Sequence, residues 1–206
     1  MGANHIGPHA AERDMPHSYG RELMNHQIRA IMVSHNASIF TELAVRSLLA
    51  NHNPPLKMAL SLVDNASLDD TGALQAFLQQ RSIPFLQSGF DTRSKYNSHG
   101  EILQKFVGEN ADCDYYLFLD HDVCFFHENV IHRLMSDLNK AGEDVFGINP
   151  GWADWYGNAY TRKHRPEDSI RRLHPFCALV KNTQLFRRVV AQFGFGQFDY
   201  EYANSV

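Results

Sequence analysis

The chain of 206 residues is long enough for one sizeable α/β domain and too short for two of ordinary size. Hydrophobic residues make up 44% of the chain and charged residues 20%, a globular composition that excludes a disordered protein. The formal net charge is −4 and no basic face stands out, which disfavours a nucleic-acid polymer as partner.

The first 27 residues are polar and contain no apolar run typical of a signal peptide, so we expect a mobile N-terminal leader. No later stretch approaches the length of a membrane span. The 3 cysteines are odd in number and show no CxxC spacing. They predict reduced thiols and a cytoplasmic protein.

From residue 28 onward, short apolar runs alternate with segments of helical spacing. The predicted strands are 28–36, 57–67, 83–89, 114–123, 144–151 and 174–180. The predicted helices are 38–52, 69–81, 98–110 and 128–142, the first of them with an apolar face of Phe40, Leu43, Ala44, Leu48 and Leu49. Strands and helices that alternate in this way predict an α/β fold with a mostly parallel, doubly wound sheet.

Polar side chains directly follow the apolar runs of three predicted strands. Asn36 lies at the end of the first strand, Asp64 at the end of the second, and Asp120 and Asp122 at the end of the fourth. Ligands of doubly wound sheets bind outside the carboxyl ends of the strands. The sequence therefore predicts that these four side chains converge on one crevice.

The pair Asp120 and Asp122 allows two interpretations. In an extended segment, residues i and i+2 point to the same side, and neighbouring carboxylates repel unless a proton or a cation lies between them. Their oxygens suit Mg²⁺ or Mn²⁺, ions that commonly bridge to phosphates. The pair indicates either a metal site or a solvated turn after a strand.

The segments IMVSHN (31–36), LVDNASLDDTG (62–72) and DYYLFLDHDV (114–123), at these separations, resemble the nucleotide-binding half of GT-A glycosyltransferases, especially the inverting family 2 type. FGFGQFDYEY (193–202) resembles the Gly-Phe-Asp segment of that family. The resemblance implies one Rossmann-like GT-A domain over 28–206. Residues 28–125 would bind the nucleotide sugar, and residues 126–206 would form an acceptor half that ends early.

The resemblance also implies a donor site. Asp64 would contact the base or ribose of a nucleotide sugar, and UDP is favoured because the family most often uses it. The residues implied to line this pocket are Ser34, His35, Asn36, Lys95, His99 and Asp120. Asp120 and Asp122 would hold Mn²⁺ or Mg²⁺ at the diphosphate, and His174 would either complete that site or serve a structural role.

The acceptor half is less regular. The segment GWADWYGNAY contains Trp152 and Trp155, which would form either a platform for a sugar ring or a hydrophobic cluster. An inverting transferase needs a general base for the acceptor hydroxyl, and Asp199 and Glu201 are the last acids of the chain. The alternatives are Asp154, a base beyond a truncated C-terminus, and a retaining mechanism.

Other classes of function remain open at this point. A nucleotide-sugar or carbohydrate-binding module without turnover would also use this donor site. LFLDHDV partly resembles the nucleophile loop of haloacid-dehalogenase-type phosphatases, but Cys124 stands where that loop usually has Thr or Val. A nucleotidyltransferase would usually have a glycine-rich loop after the first strand, and SHNASIF has no glycine.

Overall fold

The computed structural model describes residues 26–52, 56–90, 98–143, 145–150 and 176–195. Within these ranges the strands are β1 (Gln27–Ser34), β2 (Lys57–Asp64), β3 (Phe85–Gln87), β4 (Tyr115–Asp120), β5 (Gly147–Ile148) and β6 (Cys177–Lys181). The helices are α1 (Ser38–Asn51), α2 (Gly72–Gln79), α3 (Ser98–Glu109), α4 (Val130–Lys140) and α5 (Gln184–Phe193). In these ranges, no helix combines the length and the hydropathy needed to cross a bilayer.

The six strands form one sheet in the order β3-β2-β1-β4-β6-β5. Strands β3, β2, β1 and β4 are parallel, and β6 is antiparallel to both β4 and β5. The predicted α/β fold with a mostly parallel sheet is therefore confirmed. After β3 the chain crosses to the other side of β1 to form β4, so the strand order reverses between β1 and β4. Such a switch point is where doubly wound sheets bind ligands.

Apolar side chains cover both faces of the sheet. One buried cluster joins the row of Ile28, Ala30 and Met32 to helices α1, α2 and α4. A second cluster joins the row of Ile31 and Val33 to α3 and α5. Alternate residues of a strand point to opposite faces, so a continuous apolar run supplies both clusters. Burial of each large aliphatic side chain contributes about 1.5–3 kcal/mol, which fixes the strands in register.

The predicted helix over 38–52 is present, but the apolar face predicted for it is partly wrong. Thr41, Ala44, Val45 and Leu48 are buried against the sheet, whereas Phe40 and Leu43 are among the exposed apolar side chains. The difference arises because Thr41, Ala44, Val45 and Leu48 have the spacing of one helix face, and Thr41 Oγ1 lies 2.7 Å from Ser34 Oγ on that face. β3 and β5 are shorter than predicted, and β1 begins one residue earlier.

Candidate functional site

The register of the sheet places three predicted site residues at the same edge. Ser34 is the partner of Asp64 across β1 and β2. Asp120 is the partner of Val33, the residue before Ser34, across β1 and β4. Adjacent strands lie about 4.8 Å apart, so the carboxyl ends of β2, β1 and β4 bring these side chains to the switch point.

Asp64 and Asp120 approach this edge from different faces of the sheet. Asp64 continues the row of Leu60 and Leu62, which packs with α1 and α2. Asp120 continues the row of Tyr116 and Phe118, which packs with α3 and α5. A ligand that contacts both carboxylates would therefore lie across the end of the sheet and not on one face.

Asp64 is a buried carboxylate with an unfilled hydrogen-bonding capacity. Its side chain is 4% exposed. Oδ2 accepts a hydrogen bond from the backbone amide of Ser67 at 3.3 Å, and Oδ1 is buried without a hydrogen-bond partner in the described part of the chain. A buried polar atom without a partner costs about 1–3 kcal/mol. Such an atom at a ligand edge is suited to accept a hydrogen bond from a ligand.

His35 and Asn36 form the turn after β1. Asn36 adopts the left-handed conformation, with φ of 50°, which Asn tolerates better than most residues. Its Oδ1 accepts a hydrogen bond from the amide of Leu68 at 2.6 Å, and its Nδ2 lies 3.0 Å from His35 Nε2. His35 Nδ1 lies 2.7 Å from the carbonyl of Asn65. The turn is thereby fixed to the loop after β2.

The loop after β2 is fixed to the start of α1 in return. Ser67 Oγ accepts a hydrogen bond from the amide of Asn36 at 2.9 Å. Asp69 accepts a hydrogen bond from the amide of Ser38 at 2.9 Å, and Ser38 is the first residue of α1. That hydrogen bond is the main reason why the pKa of the Asp69 carboxyl is lowered. The first amides of a helix have no acceptor within the helix, and the cap residue of α1, Ala37, has no polar side chain to supply one. The Asp69 carboxylate supplies the acceptor for the amide of Ser38 instead.

Sequence reasoning missed the role of Asn65, which is 6% exposed. Its Nδ2 donates a hydrogen bond to Ser98 Oγ at 2.8 Å, and its Oδ1 accepts one from Ser88 Oγ at 3.0 Å. One carboxamide thus joins the loop after β2, the loop after β3 and the first residue of α3. Its place directly after Asp64 marked it as a rim residue, but no sequence pattern indicated partners 23 and 33 residues away.

The pair Asp120 and Asp122 does not lie in one extended segment. β4 ends at Asp120, and His121 and Asp122 form a turn, so the expectation of two side chains on the same side of a strand is wrong. The reason lies downstream, where Phe125 is buried and anchored to α1. Its amide donates to Ser47 Oγ at 2.9 Å, and its carbonyl accepts from Asn51 Nδ2 at 2.8 Å. The chain must turn after Asp120 to reach α1.

The turn changes the exposure of the two carboxylates. Asp120 is half-buried and Asp122 is exposed. The negative charge of Asp120 adds to burial, which is the larger effect, in raising the pKa of the Cys177 thiol to about 12. Both carboxylates offer the hard oxygen ligands that Mn²⁺ and Mg²⁺ prefer. Within the described ranges, however, no group of three or more His, Cys, Asp or Glu side chains gathers to hold a metal ion.

The third predicted ligand, His174, lies outside the described residues. The described chain resumes two residues later, at Phe176. The carbonyl of Phe176 accepts a hydrogen bond from the amide of Asp120 at 2.8 Å. His99 is the second residue of α3 and is half-buried. The other predicted site residues also lie outside the described residues, and they are Lys95, Trp152, Asp154, Trp155, Asp199 and Glu201.

Comparison with known structures identifies the fold. Glucosyl-3-phosphoglycerate synthase from Mycobacterium tuberculosis, in complex with Mn²⁺, UDP-glucose and phosphoglyceric acid, is 14% identical, with a TM-score of 0.59 over 84% of this chain and 62% of that chain. The same enzyme in complex with UDP is 15% identical, with a TM-score of 0.57 over 84% of this chain and 63% of that chain. A mannosyltransferase from Pyrobaculum calidifontis in complex with GDP-Man and Mn²⁺ is 14% identical, with a TM-score of 0.57 over 82% of this chain and 47% of that chain.

These likenesses confirm the predicted GT-A fold and, at such low identity, show the fold alone. The chain spans less than two thirds of the length of these structures. No curated protein matches the chain. The model of the family described as glycosyl transferase family 2 matches residues 30–202. Since this match covers most of the 206 residues, the chain belongs to glycosyl transferase family 2.

Proposed function

We propose that this protein transfers a sugar from a nucleotide-diphosphate sugar to an acceptor hydroxyl with inversion, and that the donor is a UDP-sugar bound at the switch point. The observation that carries the proposal is the buried Oδ1 of Asp64 at the carboxyl edge of the sheet, which has no partner among the residues that the structure describes. A nucleotide offers base N–H groups and ribose hydroxyls as donors for such an atom. Binding would then remove the penalty that the unpaired oxygen imposes on the empty site.

The neighbouring residues support a pocket for a flat polar ligand. Ser34, the last residue of β1, is the partner of Asp64, and His35 and Asn36 form the turn that follows. Hydrogen bonds of His35 and Asn36 to the loop after β2 fix this turn before a ligand arrives. A pre-formed binding site lowers the entropy lost on binding. Lys95 and His99 are proposed as further contacts to the nucleotide. UDP, UDP-glucose and GDP-Man are bound by the structural neighbours.

Asp120 and Asp122, completed by His174, are proposed to hold Mn²⁺, with Mg²⁺ as the alternative ion. Two of the structural neighbours were determined with Mn²⁺. When bound, such an ion neutralises the charge that develops on the departing nucleoside diphosphate. The chain has no G-x-x-x-x-G-K-[ST] phosphate loop that would supply this charge by itself.

The acceptor side is proposed to use Trp152 or Trp155 as a platform for the acceptor, and Asp199 or Glu201 as the base. The bond from the anomeric carbon to the diphosphate oxygen breaks while the acceptor oxygen forms a new bond to that carbon. The acceptor proton passes to the carboxylate. Asp154 is the alternative base. We also propose a cytoplasmic location, because an odd number of cysteines without CxxC spacing is typical of reduced thiols.

The experiment is a thermal-shift panel of UDP, GDP, CDP and dTDP, with and without Mn²⁺, followed by assays of transfer and of donor hydrolysis. A ligand that binds only the folded state raises its apparent stability. We expect UDP with Mn²⁺ to give the largest shift, and Asp199→Asn or Glu201→Gln to abolish transfer. No shift with any nucleotide would refute the donor site, and binding without turnover would indicate a binding module instead of an enzyme.

A further inference from the structure

The carboxamide of Asn65 joins three separate segments of the described chain. Ser88 lies directly after β3 and Ser98 is the first residue of α3, and the carboxamide binds both. The nine residues between the two serines include Lys95. Both ends of this segment, Ser88 and Ser98, therefore bind the same group, the carboxamide of Asn65.

The hydrogen bonds around Asn65 form one continuous chain. The amide of Phe90 donates to Ser88 Oγ at 3.1 Å, and this hydroxyl donates to Asn65 Oδ1. The carboxamide nitrogen faces Ser98 Oγ, to which it donates. A group with both ends committed in this way cannot rotate without leaving a buried partner unpaired.

The backbone of Asn65 extends the connection to β1. Its amide donates to the carbonyl of Ser34 at 2.8 Å, and its carbonyl lies 2.7 Å from His35 Nδ1. Asn65, which directly follows Asp64, thus binds the end of β1, the loop after β3 and the start of α3 through its backbone and its side chain. These are the segments that carry Ser34, His35 and His99.

We propose that Asn65 is a positioning residue of the donor site, which holds the ends of the segment between β3 and α3 in place beside Asp64 so that they are ordered before the nucleotide binds. The proposal rests on the proposed function for its ligand. Its structural half, the ordering of residues 88–90 and the start of α3, can be measured without any ligand.

The test compares Asn65→Ala with Asn182→Ala. Asn182 is a matched control because its carboxamide also joins separate segments. Its Nδ2 donates to the carbonyls of Ala111 and Cys113, and its Oδ1 accepts from Arg187. Asn182 directly follows β6 and lies beside the start of β4. It is therefore at the end of the sheet opposite to the carboxyl ends where Asp64 lies. Both substitutions should lower the free energy of unfolding, so a loss of stability alone cannot explain a difference between them.

Two quantities are measured in each folded variant. The first is the amide hydrogen-exchange rate of residues 88–90 and 98–103 without ligand. The second is the Kd of UDP in the presence of Mn²⁺, by calorimetry. For Asn65→Ala we expect faster exchange in both segments and a Kd at least about tenfold weaker, and for Asn182→Ala neither change. Ser98→Ala should give part of the effect, and Asn65→Ala should have a smaller effect in the Ser98→Ala background than in the parent.

Each other outcome decides against the proposal. Unchanged exchange in Asn65→Ala overturns the ordering role, and faster exchange with an unchanged Kd overturns the role in the donor site. An equal loss of UDP affinity in Asn182→Ala would show that Asn65 has a general structural role and not a specific role in the donor site. If Asn65→Ala does not fold, Ser88→Ala and Ser98→Ala give the same two readouts. If the parent protein binds UDP neither with nor without Mn²⁺, the proposed function fails, and the exchange rates alone decide the ordering role.

Discussion

Nε2 of His35 lies 3.0 Å from Nδ2 of Asn36, and the direction of this hydrogen bond is determined by a third group. The amide of Leu68 can only donate, so it must face the oxygen of the Asn36 carboxamide. The nitrogen of that carboxamide then donates to His35 Nε2. The remaining ring nitrogen, Nδ1, must carry the proton that it directs to the carbonyl of Asn65.

We therefore predict that neutral His35 exists as the Nδ1–H tautomer. The measurement is a ¹⁵N-correlated NMR spectrum of the imidazole, in which the two nitrogens of a neutral ring have distinct shifts. His52, whose Nε2 lies 3.3 Å from the carbonyl of Leu56, provides an internal comparison with the opposite expectation. An Nε2–H tautomer at His35 would contradict the hydrogen-bond pattern, and Asn36→Ala should leave the Nδ1–H tautomer in place, because the carbonyl of Asn65 can only accept.

Asp64→Asn should abolish UDP binding and change the stability of the ligand-free protein little. Oδ1 of Asp64 has no partner among the described residues, so the substitution breaks no hydrogen bond at this atom, and we expect the free energy of unfolding at pH 7 to change by less than about 1 kcal/mol. Calorimetry with UDP measures the first effect and chemical denaturation the second.

Asp114→Asn is the control for Asp64→Asn. Asp114 precedes β4 at the other end of the strand, and its Oδ2 accepts a hydrogen bond from the amide of Gln27 at 2.7 Å. This carboxylate has a partner that donates to it, so its neutralisation should lower stability and leave UDP affinity unchanged. A loss of stability in Asp64→Asn as large as that in Asp114→Asn would show that Oδ1 of Asp64 has a partner in solution.

Asp122→Ala should abolish the effect of Mn²⁺ on UDP affinity and leave stability within about 0.5 kcal/mol of the parent. Asp122 is an exposed turn residue, so the fold loses little when its carboxylate is removed. Asp137→Ala removes an exposed carboxylate from α4 and serves as the control for net charge. Mn²⁺-dependent affinity that survives in folded Asp122→Ala would reject the metal assignment.

The strands that carry this site could be predicted because burial on both faces leaves a continuous apolar run. The polar residue that ends such a run marks the carboxyl edge, so Asp64 and Asp120 could be assigned to one rim. The apolar pattern does not show where β4 stops, since the turn at Asp122 depends on the anchoring of Phe125 to α1. The pattern alone therefore placed both acids of that pair in one strand.

Two other features were beyond the sequence because they depend on how the elements pack against one another. Asn65 reaches Ser88 and Ser98 only once β3 and α3 are in place beside β2. The buried face of α1 includes Thr41, whose hydroxyl lies against that of Ser34, while Phe40 remains 61% exposed. Hydropathy ranks Phe40 above Thr41 as a core residue, but Thr41 lies on the same side of the helix as Ala44, Val45 and Leu48.

The three cysteines should react with iodoacetamide in an order determined by their surroundings. Cys177 is 1% exposed, and burial together with the charge of Asp120 raises the pKa of its thiol to about 12. Burial also raises the pKa of Cys113, which is only half-buried. At pH 8 we expect Cys124 to be alkylated first and Cys177 only after unfolding, because the thiolate is the reactive form. Mass spectrometry of the native protein checks the order, and early modification of Cys177 would contradict its burial.

Asp69 should make stability depend on pH in the acidic range. The amide of Ser38 holds the pKa of the Asp69 carboxyl below its usual range, so the folded protein binds this proton more weakly than the unfolded chain does. The stabilisation is therefore complete above the pKa of the unfolded chain, about 3.9, and is lost as the pH falls through the lower pKa of the folded state. Asp69→Asn removes the titrating group, so its difference in stability from the parent should be constant near pH 7 and should shrink below about pH 4.

Denaturation of both proteins between pH 7 and pH 2.5 measures this difference. Asp137→Asn, on the exposed side of α4, controls for the general effect of one less charge. A difference for Asp69→Asn that persists unchanged at the lowest pH would show that the amide of Ser38 does not stabilise the ionised carboxylate.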